Sequence, residues 1–470
     1  LGLVFAACSD SDPEVITETS IVEVTVEVPG ETVEVPTDVP RISFWSTETQ
    51  PARAERTQAI IDSFTAASGI EVDLVLVDEN SMGSIMAANQ AAGTLPDVVF
   101  HPLQRVFGWY NDGLLDATAA TAVINALGAD TFSEGALAMA TIDGNPVSVP
   151  TDGWGQFIVY RTDVFADLGL EAPTTFDLIR SAAEACDAEG LIGMMAGTDP
   201  GQNYTQETFE HFALANGVEF ADADGNVTIN TPEFIETLTY YTDLMAEVGP
   251  KDTATYWDQA RALYFAGEVC MTLWSPFIMD EMAGLRDSVL PSCDECADDP
   301  AFIAKNSAFV GNFAGPSGAP AQWGQVSYTS VTTGADTEAA RAFVEFWHSD
   351  GYLDWLGVAA EGKFPMRSGT ADNPTEYIDG WGQLEVGVDR RAPLSDFYSA
   401  EVLANVVDGA NSLNRPLIPQ GQGLLLGAIS AERIIPQAIA DVIEGFLTPE
   451  EAAEDLQALV EEIQASLAEE

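Results

Sequence analysis

The segment Val147–Ala185 (VSVPTDGWGQFIVYRTDVFADLGLEAPTTFDLIRSAAEA) constrains the fold more than any other part of the chain. A short apolar strand ends at Pro150, and a Gly/Trp loop, Thr151–Gly155, leads into a second strand, Phe157–Tyr160. A helical turn follows at Val164–Leu168, and Pro173-Thr174-Thr175 starts a longer helix. Either threonine can cap that helix, because its hydroxyl accepts from an otherwise orphaned amide, and Asp177 falls in the first turn. A crossing of this kind suits a hinge between two lobes, where a ligand is held against both.

The same order continues on either side. Arg41–Trp45 reads as a first strand and Arg53–Ser68 as a helix with apolar spacing at Ile60, Ile61 and Phe64, closed by Gly69. Ile70–Val77 is a second strand, and Gly93–Phe100 (GTLPDVVF) turns into a third. Asp222–Thr237 reads as a small hairpin followed by a Pro-started helix, Phe265–Trp274 (FAGEVCMTLW) as a strand, and Thr337–Trp347 as a late lobe-crossing helix. Val149, Pro150, Tyr160, Arg161, Asp163, Phe165, Gly169, Leu170, Pro173, Thr175, Phe176, Asp177 and Leu178 meet one recurring run. On these residues the chain resembles the family 1 extracellular solute-binding proteins of ABC importers, similar to maltose-binding-type proteins, over roughly residues 41–460. The resemblance implies an α/β, two-lobe, periplasmic-binding-protein-like (type II) fold with a hinge and an inter-lobe ligand cleft. It also implies a partnership with the permease subunits of an ABC transporter.

A length of 470 residues exceeds one ordinary core and fits two lobes. The expected division is 41–149 plus 325–360 for lobe one and 153–322 plus 365–470 for lobe two. Seventy-five acids against 17 bases give a net charge of −58, spread along the chain rather than gathered in a tail. Such a charge excludes nucleic acid and anionic membrane surfaces as partners, since phosphate binding needs Lys and Arg. A strongly hydrated, halophile-like acidic surface is the first reading of this charge; an electrostatic funnel for a cationic solute is the second.

Leu1–Ala7 is apolar ahead of Cys8, and Phe5-Ala6-Ala7-Cys8 resembles a lipoprotein processing box, with Phe where Leu is usual. Residues 1–8 are thus expected to be a signal-peptide remnant with Cys8 the lipidated residue. Residues 9–40 repeat Val-Glu-Val between prolines and carry no Lys or Arg, which predicts an acidic, disordered tether. About 30 residues at polyproline II spacing reach up to about 100 Å. The protein is then exported and held to the outer face of the cytoplasmic membrane by its lipid alone, because no later run of about 18 apolar residues occurs. Cys293-Asp-Glu-Cys296 lacks a second pair or a nearby His, so a local disulfide is expected there rather than a metal. Cys186 and Cys270 are left open between pairing and simple burial.

Catalytic and cofactor motifs fail on inspection. Gly357–Phe364 (GVAAEGKF) matches most of a phosphate loop, but Phe364 replaces the magnesium-binding hydroxyl. Asp222-Ala-Asp-Gly225 lacks the spacing and the final Glu of a calcium loop. No cofactor, no metal and no catalytic residue is expected. Tryptophan is more informative. Trp347, Trp355 and Trp109 lie in core patterns, whereas Trp45, Trp154, Trp257, Trp274, Trp323 and Trp381 fall at strand ends or among loop residues. Ligands of two-lobed α/β proteins lie outside the carboxyl ends of strands, where an aromatic ring can stack on a sugar face. Trp154 and Trp274 are expected to face Trp45 and Glu48 across the cleft. Ser46, His101 and Asp152 are further polar candidates, and Arg367 is either a ligand contact or a lobe-tying ion pair. The expected ligand is an oligosaccharide or polyol, bound by a monomer. The alternatives are a cationic solute such as a polyamine and, third, a carbohydrate-active enzyme.

Overall fold

The computed structural model describes residues 39–79, 81–250, 254–409 and 413–469. The processing box with Cys8 and all but the end of the 9–40 tether lie outside the described residues. Two separate sheets organise the rest. The larger has seven strands, ordered 364–365, 149–155, 322–331, 98–102, 41–46 and 71–76, with Leu413–Asn414 paired to the start of 322–331. The strands 41–46, 71–76 and 98–102 are parallel and are connected by helices, so their carboxyl ends share one edge. Gln322–Val331 then runs antiparallel between Val98–Pro102 and Val149–Gly155. The smaller sheet has four strands, ordered 307–310, 157–161, 269–274 and 192–195.

Local chemistry explains many boundaries. Gly69 ends the helix Pro51–Ser68 at φ 76°, a left-handed position that carries no penalty without a Cβ. Thr175 is the cap of the helix Phe176–Ala188, its hydroxyl accepting from Leu178 N at 3.2 Å, and Asp177 lies in the first turn. Thr231 caps the Pro-started helix Pro232–Val248 in the same way. Trp347 and Trp355 are fully buried, with ring centroids 5.0 Å apart. The helix Thr337–Trp347 crosses nothing: its apolar face lies on the larger sheet, with Phe343 and Trp347 against Phe44.

One expected loop is a strand. Thr151–Gly155 continues the strand from Val149, and Gln156 alone separates it from Phe157–Arg161 in the smaller sheet. The glycines there serve close approach rather than a turn. A Cβ on Gly155 would stand 2.2 Å from Gln322 Nε2, and one on Gly153 would stand 2.9 Å from Gln325 O. The return crossing, from Val310 to Gln322, runs beside the first. His211 ties its two ends, with Nε2 at 2.9 Å from Gly311 O and 3.3 Å from Ala321 O, so that its N–H is the donor. The chain also stays with the larger sheet beyond 365: Phe364–Pro365 pairs with Gly153 and Asp152, and Ser368 N donates to Thr131 O.

Two disulfides form, Cys293–Cys296 and Cys186–Cys270. The second fastens the helix Phe176–Ala188 to the strand Val269–Trp274. Among the described residues no single helix is long and apolar enough to cross a membrane; one pair, Gly423–Glu432 and Ile434–Ile443, passes by length and composition but is bent by 51°.

Candidate functional site

The carboxyl ends of the three parallel strands place Ser46–Glu48, Val77–Glu79 and His101–Arg105 along one rim, facing the crossing strands. A polar chain forms the floor. Gln104 Oε1 accepts from Gln325 Nε2 at 2.7 Å, and Gln325 Oε1 accepts from Arg415 Nη1 at 3.0 Å. Arg415 Nη2 donates to Glu210 Oε2 at 2.9 Å, and the same oxygen accepts from Trp323 Nε1 at 2.7 Å. Glu210 belongs to the helix Asn203–Ala215, so this chain joins the rim of the larger sheet, the hinge and the second lobe. Trp154 lies over it, its ring 5.3 Å from that of Trp323.

Lys363 organises the wall. Its Nζ lies 2.7 Å from Glu48 Oε1 and 3.4 Å from Asp152 Oδ1, with the Trp355 ring centroid 4.2 Å away. Trp355 Nε1 donates to the other Asp152 oxygen at 2.8 Å. Burial alone would raise the Glu48 carboxyl, but Lys363 and Arg53 outweigh it and hold its pKa below the usual range. Asp152 is deeper, and there burial wins over the pull of Lys363, pushing its pKa up. The alternation of charge then crosses to the second lobe: Arg53 Nη1 pairs with Glu48 at 3.1 Å, Arg286 Nη2 with Glu361 at 3.0 Å, and Arg286 Nε with Asp280 at 2.6 Å.

An aromatic shelf stands on the second lobe. The Trp257 ring stacks on Trp274 at 6.5 Å with 24° between planes, and Trp274 meets Tyr204 at 5.9 Å. Tyr204 OH donates to Leu273 O at 2.7 Å, which fixes the shelf to the end of the strand Val269–Trp274. Trp257 remains 53% exposed, far more than Trp274 at 6%. Glu207 is one helical turn from Tyr204, and its carboxyl is pushed up to about 7, first by burial and then by the charges of Glu210 and Glu79 against the pull of Arg415. Glu79, on the opposite rim, keeps solvent access, yet the protein around it raises its pKa too.

The Glu207 shift has a testable sign. Its folded pKa lies above the unfolded value of 4.5, so the unfolded chain releases the proton first and native stability falls as pH rises from about 4.5 to about 7. Glu207→Gln removes that loss. The variant is expected to be more stable than the parent by about 1–3 kcal/mol at pH 8 and equal to it near pH 4.5. Denaturant melts at the two pH values check this, and an equal gain at both would remove the assignment.

The residues expected from the sequence fall into two groups. Glu48, Asp152, Trp154, Trp257 and Trp274 lie along the wall, floor and shelf described above; Ser46 is buried, and its hydroxyl accepts from Glu48 N at 3.2 Å. The others lie inside the lobes. Trp45 packs with Val77, Met82, Met86 and Trp109 in a small satellite core. His101 is fully buried, bonded to Ser330 Oγ at 2.8 Å and held neutral by burial, with a pKa lowered to about 4. Trp323 sits beneath Trp154, and Trp381 Nε1 donates to Ala360 O at 2.8 Å. Arg367 is neither of its two expected things: its guanidinium donates to Thr131 Oγ1, His348 O, Tyr377 OH and Leu127 O, which are neutral acceptors within the larger lobe. Sequence reasoning passed over Lys363, Glu79, Glu207, Tyr204 and Arg415. The scarcity of bases was the available signal for Lys363 and Arg415, since a cation at this composition has many acids competing for it.

Comparison with known proteins agrees with this geometry. The family model described as "Bacterial extracellular solute-binding protein" matches residues 48–353. A protein named as an ABC transporter periplasmic-binding protein, YcjN of Escherichia coli K12, is 28% identical over 346 residues, covering 70% of this chain and 75% of that one. The maltose-bound MalE3 structure of T. maritima superposes with a TM-score of 0.66 at 20% identity, covering 90% of this chain and 99% of the other. A solute-binding protein of Thermotoga lettingae bound with α-D-tagatose gives 0.68 at 18% identity, covering 90% and 99%. These likenesses establish the two-lobe type II periplasmic-binding-protein fold with its hinge and cleft. The family match spans well over half of the sequence, and the chain belongs to the bacterial extracellular solute-binding proteins.

Proposed function

We propose that the protein captures a carbohydrate, an oligosaccharide or polyol, between its lobes and delivers it to the permease subunits of an ABC importer. It acts as a monomer, lipidated at Cys8 and set off from the outer face of the cytoplasmic membrane by the 9–40 tether. Capture needs no bond-making, only an open form and a closed form bridged by the ligand. The observation that carries the reading is Trp257, a half-exposed ring presented on the buried Trp274 beside Tyr204. Such a shelf matches the apolar face of a pyranose, while the carboxyls near it accept from hydroxyls. The maltose and tagatose in the two related structures are consistent with that class of ligand.

Titration calorimetry against a panel of neutral oligosaccharides and polyols tests the reading, with incubation for product formation as the check against an enzyme. Trp257→Ala is expected to weaken binding by about 2 kcal/mol, as truncated aromatic hot spots do, with the ligand-free melting temperature nearly unchanged. Trp274→Ala, which removes the buried support, is expected to cost about 3–5 kcal/mol of stability as well. Full affinity in Trp257→Ala would move the site elsewhere.

A further inference from the structure

Four of the chain's 17 bases, Arg53, Arg56, Arg286 and Arg391, line one cavity of about 400 Å³. One wall is the start of the helix Pro51–Ser68 with the loop 357–361, which leads into the larger sheet at Phe364. The other is Arg286 with the hairpin of Glu385–Val386 and Ala392–Pro393. That hairpin is fastened to the smaller-sheet side, because Asp389 N and Arg390 N donate to Leu285 O at 3.1 and 3.2 Å. The cavity therefore lies between the lobes, and the Arg286–Glu361 pair at 3.0 Å joins its walls.

The four bases are not equally committed. Buried Glu361 is shared by Arg53 at 3.8 Å and Arg286 at 3.0 Å, and each of those arginines has a second carboxylate, Glu48 or Asp280. Arg391 meets Glu385 only loosely, with Nε 3.9 Å from Oε2. Among the described residues Arg56 has no hydrogen bond or ion pair. Its pKa is lowered first by burial and then by the charge of Arg391, with Asp354 and Glu361 pulling the other way. Two guanidiniums from opposite walls thus face the same space, and neither holds a carboxylate within hydrogen-bond range. The helix adds to them. It has 18 residues, no side-chain cap from Gln50 and no acid in its first turn, and both Gln50 and Ala52 line the cavity. The positive end of its dipole is left open there.

We propose that this cavity is a second binding site, for a small carboxylate held between Arg56 and Arg391 at the start of the helix Pro51–Ser68. Guanidinium forks match the two oxygens of a carboxylate, and the first turn of a helix offers free amides beside them. The lining sets four bases against three acids, Glu55, Glu361 and Glu385, so it compensates a monoanion but not a phosphate dianion. The net charge of −58 does not forbid the site, because salt at physiological strength screens the rest of the surface beyond about 8 Å. A carboxylate there bridges the two walls and so favours the closed arrangement of the lobes. The site is independent of the carbohydrate reading.

The test uses the full chain with isotope-labelled acetate as the probe, its binding read from NMR line broadening, and with chloride and phosphate as competitors at equal ionic strength. Acetate is expected to bind saturably, and each competitor to be needed at about tenfold or greater excess to displace it. Arg56→Gln and Arg391→Gln should each weaken acetate by about tenfold or more, while both variants melt close to the parent. Arg41→Gln, which alters the exposed Arg41–Glu71 pair outside the cavity, should leave acetate binding unchanged. Small-angle scattering is expected to give a smaller radius of gyration in saturating acetate than in chloride. Absence of acetate binding, or equal binding by Arg56→Gln and Arg391→Gln, overturns the proposal. Displacement by chloride or phosphate at equal concentration also overturns it, as does scattering that is the same in acetate and chloride. None of these outcomes bears on sugar capture.

Discussion

Lys363→Met is expected to lower the unfolding free energy by about 3–5 kcal/mol at neutral pH, because it leaves two buried carboxylates without their shared cation. Glu48 and Asp152 are both nearly inaccessible, and the methionine matches the lysine stem in volume but not in charge. The contact of Nζ with the Trp355 and Phe100 faces, at 4.2 and 4.9 Å, is lost as well. The pH dependence separates this mechanism from simple loss of packing. Lys363 helps hold the Glu48 pKa below its unfolded value, so the parent keeps that stabilisation above the unfolded pKa and loses it as pH falls through the folded one. The gap between parent and variant should thus narrow in acid. Adding Glu48→Gln and Asp152→Asn to Lys363→Met should recover part of the loss. A single-variant cost below about 1 kcal/mol in denaturant titrations would show that the clamp contributes little.

The Cys186–Cys270 disulfide carries the second large effect. The two residues are 84 apart, and cross-linking a loop of that size removes about 4.5 kcal/mol of chain entropy from the unfolded state. Replacing both by Ala is expected to cost about 2–5 kcal/mol, while the double Ala variant of Cys293 and Cys296, which are 3 apart, should cost much less. Both sulfurs of the long bridge are buried, so only mild relaxation of the helix Phe176–Ala188 should accompany the loss. Melts of the two double variants, oxidised parent alongside, decide the order. Equal costs would point to packing rather than chain entropy.

The elements with clear periodicity or caps were readable from residues alone. The first strand, the helix closed by Gly69 and the Thr175 cap follow from apolar spacing and from side chains that act within one turn. What depends on the opposite side of the molecule was not readable. Thr151–Gly155 has the composition of a loop, and only Gln322–Gln325 packed against its glycines makes it a strand. Arg367 read as a ligand contact or an ion pair because its neutral acceptors, Leu127, Thr131 and His348, are not its neighbours in sequence. The Trp residues show the same limit. Spacing told that Trp347 and Trp355 are core, but the difference between Trp257 and Trp323 lies in which neighbour covers each ring. Lys363 was hidden by a near-match to a phosphate loop, where its actual role needs two carboxylates from remote strands.

The position of the strand Gln322–Val331 in the middle of the larger sheet reaches back to how the chain is made. Its partners on either side are 98–102 and 149–155, and the bond from His101 to Ser330 joins residues 229 apart. During synthesis the three parallel strands emerge early but face a vacant slot until more than two hundred further residues have followed. Contacts so distant in sequence form slowly, since the loop must close before any of them stabilises the sheet. In this design the larger sheet is complete only once the late strand has taken its place between 98–102 and 149–155.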